Sequence, residues 1–254
     1  MHIVTQGLVL REVNYKESDK ILTVLTREGG KRTVKAQGCR RKGSCLAASA
    51  QLLVWSDMTL FEYKDYYTLN EAESQEQFWG VKGDIEKLAL GSYFAELCET
   101  VAEEGRSDEP LLSLVLNSLY ALDKLQKPQA LVKAAFELKL MCVTGYEPML
   151  DACAACGVEY PEEARFHLSE GVLHCAACRG EVGDGISMPI TPAALAAMRH
   201  VAYGDPKRLF SFPIDREGLG RMGDVTEAYL LTQLERGFRT LDFYKSLDMG
   251  TTAR

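Results

Sequence analysis

The fold is decided by the first stretch of the chain, which reads Ile3-Val4-Thr5-Gln6-Gly7-Leu8-Val9-Leu10-Arg11-Glu12-Val13. β-Branched and long apolar residues dominate this stretch, as is typical of a strand. A second run of the same kind, at positions 21–26, follows a polar turn at positions 17–19. Gly29 and Gly30 then stand where a hairpin needs residues that tolerate a positive φ. The chain therefore begins as an antiparallel β-structure.

Three more β-rich runs follow, at positions 32–36, 52–63 and 66–69. Five strands joined by short turns are typical of a small antiparallel barrel such as the OB-fold. An SH3-like barrel fits nearly as well, because strand count and spacing alone do not separate the two folds. We expect a five-stranded OB-fold barrel that binds nucleic acid at residues 1–78.

The spacing of the apolar residues becomes helical from about position 77 to 144. One very apolar helix is expected after Asp108 and Pro110, because an acid and a proline suit a helix start. Thr191 is expected to cap a later helix, and a last helix is expected from about position 222 to 241. The sequence therefore predicts an α+β protein, with a helical part after the barrel.

Two C-x-x-C pairs, Cys153 with Cys156 and Cys175 with Cys178, are separated by the residues at 157–174. Two such pairs at this separation are a strong zinc signal. Each pair places two thiolates on one side of a tight turn, and two facing turns complete a tetrahedron of sulfur around Zn²⁺. We expect one structural zinc ion per chain, since four thiolates leave no position for a catalytic water.

His167 and His174 lie between the pairs or beside them, and we interpret both as strand residues because four thiolates already fill the zinc sphere. A redox-active role of C-x-x-C would need a βαβ context, which is missing here.

The predicted organisation after the barrel is a helical domain formed by residues 79–149 and 186–248, with a zinc-binding insertion at residues 150–185.

The charge of the chain is distributed unevenly. The 254 residues include 29 Lys and Arg against 36 Asp and Glu, a formal net charge of −7, yet no acid occurs between Gly29 and Ser56. The cations of that segment are Lys31, Arg32, Lys35, Arg40, Arg41 and Lys42. Local field rather than net charge governs the attraction of a polyanion. We expect about four or five of the six to contact DNA phosphates together, because strand alternation prevents all six from facing one ligand. The alternative is a solvated basic face.

Motifs of common enzymes are missing. The sequence contains no G-x-x-x-x-G-K-[ST], H-E-x-x-H or G-x-S-x-G pattern. We therefore expect a protein that is not an enzyme. A 46% hydrophobic share, without a run of about 18 apolar residues, argues against a membrane protein. The first residues lack the features of a signal peptide, so we expect a cytoplasmic protein.

Several stretches, taken in their order, resemble one known family. They are Gly7-Leu8-Val9-Leu10-Arg11-Glu12, Glu17-Ser18-Asp19-Lys20-Ile21-Leu22-Thr23-Val24-Leu25-Thr26, Gly29-Gly30-Lys31, Gly38-Cys39-Arg40-Arg41-Lys42-Gly43-Ser44, Phe136-Glu137-Leu138-Lys139-Leu140-Met141, Gly145-Tyr146-Glu147-Pro148 and Cys153-Ala154-Ala155-Cys156-Gly157. In this order the chain resembles the RecO family of bacterial recombination mediators, in its zinc-containing form. The resemblance covers roughly residues 1–245.

The resemblance implies an OB-fold, a helical domain and a zinc-stabilised loop. It also implies a role in DNA repair and homologous recombination, through binding of single- and double-stranded DNA and annealing of complementary strands. The implied partner is RecR, with which such a protein helps RecA to replace the single-strand-binding protein. Its expected place is the bacterial cytoplasm, in association with the nucleoid.

A partner groove is expected on the helical domain. In the family, the acidic, phenylalanine-ended tail of the single-strand-binding protein docks on this domain. Lys133, Phe136 and Lys139 combine apolar surface with positive charge at i, i+3 and i+6 of one predicted helix. We expect the tail to dock there; the alternative is that Phe136 is a core residue.

Two other functions stay open from the sequence alone. The barrel could bind a protein, in an adaptor whose basic turn is merely solvated. It could also bind RNA, which many OB-folds do.

Overall fold

The computed structural model describes residues 1–64, 66–161, 163–181 and 184–251. Its first five strands are β1 (His2–Tyr15), β2 (Asp19–Thr26), β3 (Gly30–Ala36), β4 (Trp55–Tyr63) and β5 (Tyr66–Glu76). They close into a barrel in the order β1-β2-β3-β5-β4. The contact between β3 and β5 is parallel, with Val34 opposite Tyr67, and the other neighbours are antiparallel. This Greek-key closure confirms the OB-fold class and excludes the SH3-like alternative.

Alternation along the strands places one set of side chains inside the barrel. Leu22, Val34, Leu60 and Leu69 are buried there. In the turn before β3, the positive φ expected of the paired glycines is adopted by Gly30 and not by Gly29. Gly30 has a φ of 59°, and a Cβ there would meet the backbone of a neighbouring loop at 2.1 Å.

The segment between β3 and β4 forms turns instead of a regular element. Three of its apolar residues, Cys39, Leu46 and Ala50, are buried and join the barrel core. The fourth predicted strand was expected to start at position 52, but β4 starts at Trp55. Leu53 explains the difference, because its φ of 59° does not belong to a strand.

The described residues form seven α-helices: α1 (Trp79–Lys82), α2 (Ile85–Val101), α3 (Glu109–Asp123), α4 (Gln129–Val143), α5 (Pro192–Tyr203), α6 (Arg216–Leu234) and α7 (Arg239–Thr251). The predicted helix starts are confirmed. Asp108 accepts a hydrogen bond from the Leu111 N–H at 3.0 Å, and Thr191 accepts one from the Ala194 N–H at 3.2 Å. The last predicted helix is in fact two helices, because Glu235 takes a left-handed φ of 51° and ends α6.

The chain forms two compact units. The first contains Met1–Lys124 and Phe238–Arg254, and the second contains Leu125–Gly237. In the first unit α2 packs against α7, α3 and β1, so these helices belong with the barrel. The division into a barrel domain, one helical domain and a zinc-binding insertion stays a prediction.

The second unit contains α4, α5 and α6, which pack against one another. It also holds a small sheet of four strands, β6 (Met149–Cys153), β7 (Arg165–His167), β8 (Val172–His174) and β9 (Ser187–Pro189), in the order β6-β8-β7-β9. Strands β7 and β8 form an antiparallel hairpin. Of all helices in the described part of the chain, none is long and apolar enough to cross a membrane.

Candidate metal centre and nucleic-acid interface

Four cysteine sulfurs come together at one end of the small sheet. The Sγ atoms of Cys153, Cys156, Cys175 and Cys178 all lie within 4.8 Å of one another. The Cys156 and Cys175 sulfurs are 3.7 Å apart. Around a metal with a metal–sulfur distance of about 2.3 Å, tetrahedral sulfurs would be about 3.8 Å apart. The four cysteines are therefore positioned to bind one metal ion.

The sheet brings the two C-x-x-C turns together. Cys153 is the last residue of β6 and Cys175 follows β8, and these two strands are parallel neighbours. The backbone N–H of Cys175 donates to the Cys153 sulfur at 3.4 Å. Gly157, with a φ of 75°, donates its N–H to the Cys153 carbonyl at 2.9 Å and closes the first turn. The pairing of β6 with β8 is thus the tertiary cause of the site.

The electrostatics of the cluster favour a bound cation. Burial raises the pKa of Cys153, but N–H donors from Cys156, Cys175 and Ala155 outweigh it and lower this pKa to about 6. Hydrogen bonds to Cys175 and Cys156, together with burial, raise the pKa of Cys178 instead. Four thiolates at this separation repel one another, and a soft divalent cation removes that repulsion. The donor set therefore fits zinc.

Both histidines of this region lie in strands, as expected. His167 in β7 and His174 in β8 are buried, with ring centroids 6.2 Å apart. The His167 Nδ1 accepts the Glu170 N–H at 3.3 Å. Among the described residues, the group of possible ligand atoms contains the four cysteines and neither histidine.

An arginine on α5 braces the first C-x-x-C turn, and sequence reasoning missed it. Arg199 donates to the carbonyls of Leu150 and Asp151 at 2.7 Å each, and to that of Glu159 at 2.6 Å. Its guanidinium carbon lies 5.0 Å from the centre of the Tyr160 ring. Sequence patterns carried no signal for this residue, because its hydrogen-bond partners lie 40 or more positions away.

Three of the six cations in the acid-free segment have partners on α2, β5 or β2. Lys31 donates to the Glu99 carbonyl at 2.8 Å. The Arg32 guanidinium lies 4.4 Å from the centre of the Tyr67 ring, and one of its nitrogens is buried. Lys35 pairs with Asp19 at 3.2 Å but stays partly exposed. Lys31 and Arg32 are therefore the two least available to a ligand.

The other three cations, Arg40, Arg41 and Lys42, are exposed in the turn that follows β3. We call residues 37–44 the basic turn. Its backbone is fixed, because the Arg40 N–H donates to the Ser18 carbonyl at 3.0 Å and the Gly38 N–H donates to Asp19 at 2.8 Å. Asp19 is a second residue that sequence reasoning missed. The turn contains no acid of its own, so the sequence could not show which carboxylate holds it.

The residues predicted to form a partner groove do not form an open surface. Phe136 is fully buried, and Lys133 is buried with its Nζ 2.7 Å from Glu137 and 2.8 Å from Glu227. Lys139 donates to the Ala202 carbonyl at 3.0 Å. The cause is that α4 packs against both α5 and α6. The exposed groove expected at these three side chains is therefore absent from the described structure, and docking of a tail stays a prediction without assigned residues.

Comparison with known proteins gives one consistent result. Residues 1–78 match the family model described as recombination protein O N terminal, and residues 82–242 match recombination protein O C terminal. A protein of Acetivibrio thermocellus named DNA repair protein RecO is 32% identical over 247 residues, which covers 97% of this chain and 98% of the relative. The protein of the same name from Alkaliphilus metalliredigens is 32% identical, and the match covers 97% of this chain and 100% of the relative. That from Caldicellulosiruptor bescii is 31% identical, and the match covers 96% of this chain and 98% of the relative.

Proposed function

Since the chain belongs to the RecO family of DNA repair proteins, we propose that it binds single- and double-stranded DNA and anneals complementary strands. The observation that carries this proposal is the basic turn: three exposed cations, Arg40, Arg41 and Lys42, on an OB barrel. Cations at such a position neutralise phosphates without reading bases. DNA of any sequence is therefore the expected ligand.

Annealing follows from the same surface. Two complementary strands repel each other through their phosphates, and a basic surface that holds one strand lowers this repulsion while its bases stay accessible. No bond is made or broken in this process. The protein accordingly acts as a mediator, and we propose no catalysed reaction for it.

We further propose one zinc ion per chain, held by Cys153, Cys156, Cys175 and Cys178 in a structural role. The sulfur spacing and the lowered pKa of Cys153 support this assignment. A closed four-sulfur site stabilises the small sheet around it and offers no position for an activated water.

In the cell, RecR is the proposed partner, and together the two proteins would help RecA replace the single-strand-binding protein on DNA. Contact with the tail of the single-strand-binding protein belongs to this proposal, without a named site. Its proposed location is the bacterial cytoplasm, in association with the nucleoid.

The test is an annealing assay with two complementary labelled oligonucleotides, followed by energy transfer. The purified protein should speed annealing, and raised salt should slow it in parallel with binding of the single strand. Protein that binds neither strand would support the adaptor alternative and overturn the proposal. Unlabelled RNA of the same sequence, if it competed better than DNA, would favour the RNA-binding alternative.

A further inference from the structure

Large aromatic side chains are exposed on the hairpin that joins β4 to β5. Phe61 is 38% exposed, Tyr63 is 60% exposed and Tyr66 is 77% exposed. A nearby ring is different: Tyr67 donates its hydroxyl to Glu62 at 3.1 Å and faces Arg32. We call Phe61, Tyr63 and Tyr66 the aromatic hairpin. Burial in the barrel therefore does not account for these three rings.

The sheet register connects the aromatic hairpin to the basic segment. Phe61 on β4 stands opposite Thr68 on β5, and Thr68 stands opposite Lys35 on β3. All three side chains have the outward parity, since Leu60, Leu69 and Val34 beside them point inward. Two strand spacings, about 10 Å, thus separate the Phe61 position from the Lys35 position. An aromatic surface and a basic surface are continuous on the outside of the barrel.

Cations and rings also meet on the other side of Lys35. Its Nζ lies 5.9 Å from the centre of the Tyr15 ring, and the Nζ of Lys16 lies 5.4 Å from the same ring. Arg40 of the basic turn donates to the Lys16 carbonyl at 3.4 Å. The exposed rings and cations on the outside of the barrel therefore extend from the aromatic hairpin, through Lys35, to the basic turn.

We propose that the aromatic hairpin is a stacking platform for the unpaired bases of single-stranded DNA, whose phosphates lie along Lys35 and the basic turn. The proposal rests on the proposed function and deepens it. Exposed rings beside cations complement a ligand that carries flat apolar faces and negative charge together, which single-stranded DNA does. In a duplex the base faces are already stacked. The platform thus favours single strands over duplexes.

The test compares salt-dependent binding of three fluorescent probes: a thymidine oligonucleotide, an oligonucleotide of the same length with abasic sites throughout, and a duplex. The variant carries Tyr63→Leu and Tyr66→Leu. It should bind the thymidine probe about tenfold more weakly at every salt concentration. Its slope of log affinity against log salt should equal that of the wild type, because stacking neutralises no phosphate. Its affinity for the abasic probe and the duplex should be unchanged.

Two control variants keep the result interpretable. Tyr120→Leu replaces another exposed tyrosine, on α3, and should bind all three probes as the wild type does. The variant with Tyr63→Phe and Tyr66→Phe keeps both rings and should retain full affinity, which distinguishes stacking from a folding defect. If the leucine variant bound the thymidine probe like wild type, or lost affinity for the abasic probe equally, the platform would be rejected. Wild-type protein that bound no probe would instead overturn the proposed function itself.

Discussion

The carboxylate of Asp19 accepts a hydrogen bond from the backbone N–H of Gly38 at 2.8 Å. This bond joins the start of β2 to the basic turn, 19 positions later in the chain. Asp19 also pairs with Lys35 at 3.2 Å. One acid from β2 thus holds the backbone of a turn whose own charged side chains are all positive.

The pH dependence of stability should report this bond. The hydrogen bond from Gly38 is the largest cause of a lowered pKa of Asp19; burial opposes it, and Lys35 lowers the pKa further. A carboxyl with a lower pKa in the folded state stabilises the fold above its unfolded value, about 3.9, and this contribution is lost as the pH falls through the folded pKa. The urea midpoint of Asp19→Asn should therefore be below that of wild type at pH 6, and the difference should shrink below about pH 4. Asp224→Asn, on an exposed side chain of α6, should match wild type throughout.

The basic turn should set the salt dependence of binding to a single strand. With Lys35, Arg40, Arg41 and Lys42 acting together, the slope of log affinity against log salt should be about −3, at roughly −0.7 per phosphate. Alanine at Arg40, Arg41 and Lys42 should flatten the slope by about 2 and weaken binding to all sequences equally. Titrations followed by fluorescence anisotropy at several salt concentrations measure both quantities.

A matched control for that variant replaces three exposed cations of the second unit, Lys207, Arg208 and Arg216, by alanine. It removes the same net charge and should leave the slope unchanged. An unaltered slope in the basic-turn variant would mean that the turn is only a solvated face, and the adaptor alternative would gain.

Removal of one sulfur should release the metal. Cys175→Ser should lower the zinc content from one ion per chain to well below one and speed hydrogen exchange first in residues 150–180, because metal binding contributes folding free energy directly. Elemental analysis and exchange mass spectrometry are the measurements. As a control, Cys45→Ser alters an exposed cysteine outside the cluster, and this variant should keep one zinc ion per chain. Carefully purified wild-type protein without metal would contradict the zinc assignment.

Arg199 should control how firmly the first C-x-x-C turn is held. Arg199→Ala removes three hydrogen bonds to carbonyls and should cost roughly 2 kcal/mol of stability in the second unit. Transfer of zinc to a colour-forming chelator should become faster than in wild type. Arg216→Ala, an exposed arginine at the start of α6, is the control. Equal transfer rates in all three proteins would show that the brace does not support the metal site.

Lys133 and Glu137 on α4 form a charge cluster with Glu227 on α6, and removal of the buried cation should be costly. Burial alone would lower the pKa of Lys133, but the carboxylates of Glu137 and Glu227 outweigh burial and raise it. Glu137 is fully buried and also accepts from Thr226 at 3.1 Å. Lys133→Met should therefore cost about 3–5 kcal/mol, since it leaves a buried carboxylate without its cation.

A second variant separates that explanation from a simple loss of packing. Lys133→Met combined with Glu137→Leu removes the cation and its fully buried carboxylate, leaves the more exposed Glu227, and should regain much of the lost stability in urea unfolding. A double variant as unstable as Lys133→Met would show that the charge pair is not the cause. Neither result depends on a partner protein, so this test also shows whether Lys133 has a structural role.

Features that depend on near neighbours in the chain were predictable from the sequence alone. The four cysteines, the hairpin after Thr26, and the helix caps at Asp108 and Thr191 were predictable because a thiol pair, a positive φ and a capping oxygen act within a few residues. The count of five strands followed for the same reason. The order of these features along the chain was sufficient to identify the family that the chain resembles.

The tertiary structure decided which of these residues are free to act. The sequence could not separate Lys31 and Arg32 from Arg40 and Arg41, because the partners of the first two come from α2 and β5. It could not decide whether Phe136 faces solvent. Nor could it separate an OB-fold from an SH3-like barrel, since the parallel pairing of β3 with β5 joins strands far apart in the chain. Burial and partner choice are sums over contacts between distant segments, and a local pattern contains no information about the segment that will cover it.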